Sequence, residues 1–172
     1  YGFSVQEGYG YQSNRALKLW DASSTWRAGI KRITTGSNTK TLEFRCRVAT
    51  LPAGTAFNIP IIGTVSGAEG TVFWISIFAS GSNAIIKANY GSGWVQVGTA
   101  SLPIGTTWSL VKIVANESLN TASLYVNNNL MGTFAMYANY LNATNLTGFG
   151  LNSNGTATFG EVVYFDDITF TN

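Results

Sequence analysis

The sequence contains no histidine. That absence removes the Ser-His-Asp and Cys-His catalytic arrangements and the usual histidine-bearing zinc sites. There is one cysteine, Cys46, so no disulfide can form within the chain. Charged residues make up only 10%, where about a quarter is usual. Prolines number three, and no apolar run reaches the roughly 18 residues that would read as a membrane helix, so no membrane span is expected. No secretory leader stands at Tyr1, which leads us to expect a mature or excised piece of a larger, multidomain secreted protein.

What fills the chain is 45% hydrophobic residues and a large complement of Gly, Asn, Ser and Thr. Neutral polar groups keep such a surface soluble, as in many extracellular β-proteins. A length of 172 residues suits a single domain over residues 1–172 with a substantial core. The net charge is +2, but residues 1–47 hold eight of the ten basic side chains against three acids. That asymmetry would suit an anionic polymer. No basic run or recognition motif points to nucleic acid.

Short strands dominate the pattern. Thr41 to Ala49 alternates, with Leu42, Phe44, Cys46 and Val48 inward and Glu43, Arg45 and Arg47 outward. Leu17 and Leu19 point inward, and Trp26 to Ile33 reads as another strand. Phe57 to Val65 contains Pro60, which argues for an edge or a bulge. Thr71 to Ala79 is apolar on both faces, as a central strand would be. Ala84 to Tyr90, Trp94 to Thr99, Trp108 to Asn116, Ala122 to Asn127 and Leu130 to Phe134 follow, separated by Gly- and Asn-rich turns. Residues 135–147 read as an irregular connection. Thr147 to Leu151 and Glu161 to Phe170 end the chain. No segment holds a 3.6-residue apolar period, so the fold expected is all-β, an antiparallel β-sandwich.

Cys46 reads as a small buried apolar residue, and Trp108 as a core residue. For ligands, sugar rings stack on aromatic faces while Asn, Arg and Lys fork onto hydroxyls and acids. If Phe73, Ile75 and Ile77 face the core, Trp74 faces outward, and Lys87 and Asn89 share that side of their own strand. We therefore expect one sheet face displaying Arg45, Arg47, Trp74, Lys87, Asn89 and Tyr125 to an oligosaccharide. Trp94, Tyr9 and Tyr11 are alternative platforms.

Three stretches carry a resemblance. Trp108–Asn116 followed by Ala122–Asn129 resembles the "W-x-x-V-x-I-x-V-D … L-Y-V-D-G" hairpin of laminin-G/concanavalin-like domains. Tyr164-Phe165-Asp166-Asp167-Ile168 resembles the closing "Y-x-D-D-I" strand of β-jelly-roll carbohydrate-binding modules. Val5–Gly8 with Arg15–Leu19 resembles their opening. The resemblance implies a jelly roll, and a structural calcium held by Glu7 and Asp166, with the first and last strands side by side. It also implies a non-catalytic carbohydrate-binding module that targets a secreted polysaccharide-degrading enzyme to a polysaccharide. The alternatives are a polysaccharide lyase acting on uronic-acid polymers, with Arg45, Arg47, Lys87 and Tyr125 neutralising the uronate and moving protons, and a cell-surface adhesion domain. The lyase motifs familiar in this fold, with Arg-Thr-Glu-Leu and Gln-Ile-His strands, are not present.

Overall fold

The computed structural model describes residues 2–21, 29–65, 67–89, 94–136, 143–153 and 160–172. Among the described residues the chain forms thirteen strands and no helix. In order these are β1 Gly2–Glu7, β2 Arg15–Trp20, β3 Gly29–Ser37, β4 Thr39–Thr50, β5 Ala56–Val65, β6 Ala68–Ser80 and β7 Asn83–Asn89. They continue with β8 Trp94–Pro103, β9 Ser109–Asn116, β10 Thr121–Val126, β11 Asn129–Ala135, β12 Ala143–Ser153 and β13 Val162–Thr171. A seven-stranded sheet has the order β1-β2-β13-β4-β9-β10-β11, and a six-stranded sheet the order β3-β12-β5-β6-β7-β8. The two antiparallel sheets form a jelly-roll sandwich, the fold class the sequence leads one to expect.

Alternation decides which face of each strand is buried. On β4, Leu42, Phe44, Cys46 and Val48 lie in the core, and on β9 Val111, Ile113 and Ala115 join them. The six-stranded sheet answers with Ile59 and Ile61 of β5 and Phe73, Ile75 and Ile77 of β6. Phe165 ties the layers together: its ring centroid lies 5.6 Å from Phe44 on its own sheet and 5.2 Å from Phe57 on the other. The β10–β11 hairpin turns through Asn127 and Asn128 at φ 49° and 67°, left-handed values that Asn tolerates and that match the twist of a two-residue hairpin.

Burial pushes the Cys46 thiol up to about 12 from its ordinary 9.0, because the thiolate would lose its hydration. The raised value in the folded state means the stabilising effect is intact below about pH 9 and is lost as pH rises toward 12. Iodoacetamide at neutral pH should leave the folded chain unmodified and label it fully in denaturant. Labelling of the folded chain would contradict this placement.

Several expectations are corrected. Of the two readings of Pro60, the edge is corrected, since β5 lies between β12 and β6, and the bulge is borne out. The strand accommodates it with a register shift at Ile61/Ile62 and with a ladder to β12 that passes from Ile61 to Asn58. The first and last strands are not adjacent either, because β2 folds back on β1 and takes the place beside β13. In β13 a bulge lies between Asp166 and Thr169, with Asp167 at φ 50°. It resets the alternation: Tyr164 lies cross-strand from outward Arg47, whereas Ile168 and Phe170 pack against the core. Asp166 is therefore out of phase with Ile168 and Phe170. The strand expected at Trp26 to Ile33 falls partly outside the described residues, and β12 starts at Ala143, earlier than Thr147.

Candidate functional site

Glycines in a strand mark places where a ligand or another backbone approaches closely. Strand β12 carries Gly148 and Gly150 on alternate positions followed by Asn152, all on one side of the strand. Across the outer face of the six-stranded sheet this gives two rows. One runs Lys31, Gly150, Pro60, Trp74, Asn89, with Gly150 so close to Pro60 that an added Cβ would sit 3.0 Å from its Cγ. The other runs Asn152, Asn58, Ser76, Lys87. Within it the Ser76 hydroxyl donates to Asn58 Oδ1, and Lys87 Nζ lies 4.7 Å from the Phe78 ring centroid. Asn89 is buried, and among the described residues its Oδ1 accepts no hydrogen bond.

At the β3 end of this face a groove of about 300 Å³ opens. Gly150, Pro60 and Ile62 line it with apolar surface, and Thr71 and Asn152 supply polar edges. Lys31 and Glu69 meet in it, Nζ to Oε1 at 2.6 Å, both side chains about half exposed. An ion pair so open to water contributes on the order of 0–1 kcal/mol. An incoming carboxylate can therefore exchange with Glu69 on Lys31 at little cost. The groove thus offers a cation for an acid, a carboxylate that can move a proton, an apolar floor for a sugar's C–H face, and side groups for hydroxyls.

The six residues expected on one face divide between two. Trp74, Lys87 and Asn89 lie on the outer face of the six-stranded sheet, and none of them lines the groove. Arg45, Arg47 and Tyr125 lie on the outer face of the seven-stranded sheet, on β4 and β10. The single shared face is corrected: both strand groups have outward rows, but β4 and β6 belong to different layers. Trp94 pairs with Asn89 through the backbone, and its side chain is outside the described residues. Trp108 is not a core residue. It is half-buried on the outer side of the seven-stranded sheet, 6.1 Å from the Tyr11 ring centroid.

Glu7 and Asp166 do not fit a calcium site. Glu7 pairs with Arg15 at 3.0 Å. Asp166 Oδ2 accepts from the Tyr11 N–H at 2.7 Å and the Ser13 hydroxyl at 3.1 Å, and Oδ1 from the Asp167 N–H. Donors surround that carboxylate, where a cation would need further oxygens. Among the described residues no group of three or more His, Cys, Asp or Glu comes together. Asp166 itself pins the β1–β2 loop. Chelator is expected to leave the melting temperature unchanged, while Asp166→Ala lowers stability by about 0.5–1.5 kcal/mol through the loss of its hydrogen bonds to the loop. A chelator-induced drop in melting temperature would restore the calcium reading.

No family model matches the sequence, and no match to a curated protein is found. Solved structures do match. A sialidase superposes with a TM-score of 0.74 at 10% identity over 99% of this chain. The chain spans 17% of that sialidase. An alginate lyase from Pseudomonas aeruginosa gives a TM-score of 0.66 at 14% identity, covering 91% of this chain and 82% of the lyase. A marine alginate lyase of polysaccharide lyase family 7 from Zobellia galactanivorans gives 0.60 at 12%, covering 98% and 82%. At such identities the likeness establishes the jelly-roll sandwich. The expected function is corrected by the same comparison: alginate lyases, which are catalytic, match over most of both chains. The reading as a non-catalytic module is therefore not carried further.

Proposed function

We propose that the chain cleaves a uronic-acid-containing polysaccharide by β-elimination in the Lys31–Glu69 groove, as part of a larger extracellular protein. The carrying observation is the exposed ion pair over an apolar floor of sugar-ring size. The carboxylate of a uronate takes Glu69's place on Lys31. That neutralisation stabilises the negative charge that develops when the ring proton on C5 leaves. Glu69, displaced but still in the groove, accepts that proton. The C4–O4 bond breaks, a C4=C5 double bond forms, and the protonated Glu69 returns the proton to O4. Atoms and charge balance with no cofactor. Asn152 and Thr71 hold hydroxyls, and Trp74, Lys87 and Asn89 are placed to extend the surface along the sheet.

The structural likeness to alginate lyases supports this reading; with no histidine in the sequence, Glu69 is the base that the groove offers. Free polyuronate and its methyl ester separate this mechanism from neutral sugar binding. The free acid should be cleaved and the ester, which cannot engage Lys31 as an anion, should not. Lys31→Met should remove cleavage of the free acid. Equal action on both polymers would overturn the role of Lys31.

A further inference from the structure

The seven-stranded sheet carries a second cluster that the groove does not use. Arg45 and Arg47 stand two residues apart on β4 and point to the same outer face. Arg47 is packed by three rings: its guanidinium carbon lies 4.3 Å from the Tyr164 centroid, 5.3 Å from Tyr9 and 5.7 Å from Trp108. Arg45 lies 4.1 Å from the Tyr11 centroid. Tyr9 stacks on Tyr164 with centroids 4.9 Å apart and an interplanar angle of 2°. Aromatic rings thus lie over both guanidiniums, a cation–π arrangement that fixes an arginine in place without satisfying its N–H donors.

Among the described residues neither arginine forms an ion pair, and Arg47 Nε is buried with no acceptor. Asp166 sits cross-strand from Arg45, but its carboxylate is turned to the Tyr11 N–H and the Ser13 hydroxyl. Glu43, the other acid on this side of β4, lies cross-strand from Lys112. Lys112 adds a further cation, 4.5 Å from the Tyr125 centroid. Buried charge-bearing N–H groups without acceptors are costly, and planar oxyanions are what a guanidinium fork recognises.

We propose that this face is a second site, distinct from the groove, that holds an anionic polysaccharide through its carboxylate or sulfate groups. Arg45 and Arg47 take the oxyanions, and the exposed rings of Tyr9 and Tyr11 meet the sugar. It would hold the polymer on one side of the sandwich while cleavage occurs on the other, raising the local substrate concentration. It deepens the proposed function, but the two stand or fall on separate readouts.

Affinity electrophoresis of the Glu69→Gln chain, which leaves the polymer intact, tests it in gels holding a polyuronate, dextran sulfate, a neutral glucan or single-stranded DNA. Retardation is expected with the polyuronate, dextran sulfate or both, and their comparison names the oxyanion source. The glucan should give none, and DNA much less. Adding Arg45→Gln and Arg47→Gln should weaken retention roughly tenfold or more, the loss of charge-assisted bidentate contacts, with near-ultraviolet circular dichroism unchanged. If that chain fails to fold, Arg45→Lys with Arg47→Lys decides, since it keeps the charge and removes the fork. Undiminished retention in the folded variant, or equal retention on DNA, overturns the site. Product formation by the otherwise wild-type chain is read separately: cleavage without arginine-dependent retention sinks this inference alone, and retention without cleavage sinks only the lyase reading.

Discussion

Glu69→Gln is expected to lower the rate of polyuronate cleavage by about 10²- to 10⁴-fold, the range that a positioned general acid–base group contributes. The amide keeps a hydrogen-bonding oxygen for Lys31 but cannot take the C5 proton or return it to O4. Because Lys31 and the apolar floor of Gly150 and Pro60 remain, KM should change little. A fall in kcat with KM nearly constant is the signature of an interaction made in the transition state. If the substitution leaves kcat unchanged, Glu69 is not the proton carrier. Since Glu69 is about half exposed and its ion pair is weak, stability should shift by less than about 1 kcal/mol, so a loss of activity would not reflect unfolding.

Phe165→Ala is expected to cost about 3–5 kcal/mol, the range for truncating a buried aromatic. Phe165 is 1% exposed and packs against Phe44 of one sheet and Phe57 of the other. Its removal opens a cavity between the layers that the surrounding side chains fill only in part. Against a typical domain stability of about 5–15 kcal/mol, that loss leaves the chain marginal. Urea unfolding should show the midpoint falling with little change in slope. A cost below about 1 kcal/mol would mean that the two sheets do not share a core at this point. Phe170→Ala makes a useful contrast, since Phe170 is only partly buried and packs at the edge of the core against Phe149, so a smaller loss is expected.

The layering was legible in the sequence because alternation is a local property. Leu42, Phe44, Cys46 and Val48 declare their face without reference to any other strand, and so do Phe73, Ile75 and Ile77. The Asn127-Asn128 turn was legible for the same reason, since positive φ restricts residue type. Pairing across the fold was not. Nothing local shows that β2 separates β1 from β13, or that β4 and β6 belong to opposite layers, and for that reason Arg45 and Trp74 were expected together. The bulge at Asp166–Asp167 carries no signal in the pattern, yet it reverses which side chains face the core beyond it.

The groove was missed for a related reason. Lys31 and Glu69 are 38 positions apart, and each looks like an ordinary surface charge. One signal was available: Gly148, Gly150 and Asn152 alternate along a strand otherwise rich in apolar residues, and small residues on one face leave room for a ligand. The arginine cluster was half legible. Arg45 and Arg47 share an outward row, but the loop that brings Tyr9 and Tyr11 over them is placed by Asp166, which is more than 150 residues away in the chain.

The chemical identity of the products decides whether the Lys31–Glu69 groove is eliminative. Polyuronate incubated with the wild-type chain should yield oligomers whose non-reducing ends carry the C4=C5 double bond. They would be seen as a rise in ultraviolet absorbance and, by mass spectrometry, as products one water lighter than those of hydrolysis. The Glu69→Gln chain should form them at a small fraction of that rate. Saturated oligomers carrying the added water would show a hydrolase, and intact polymer after prolonged incubation with every polyuronate tried would contradict an eliminative role for the Lys31–Glu69 groove.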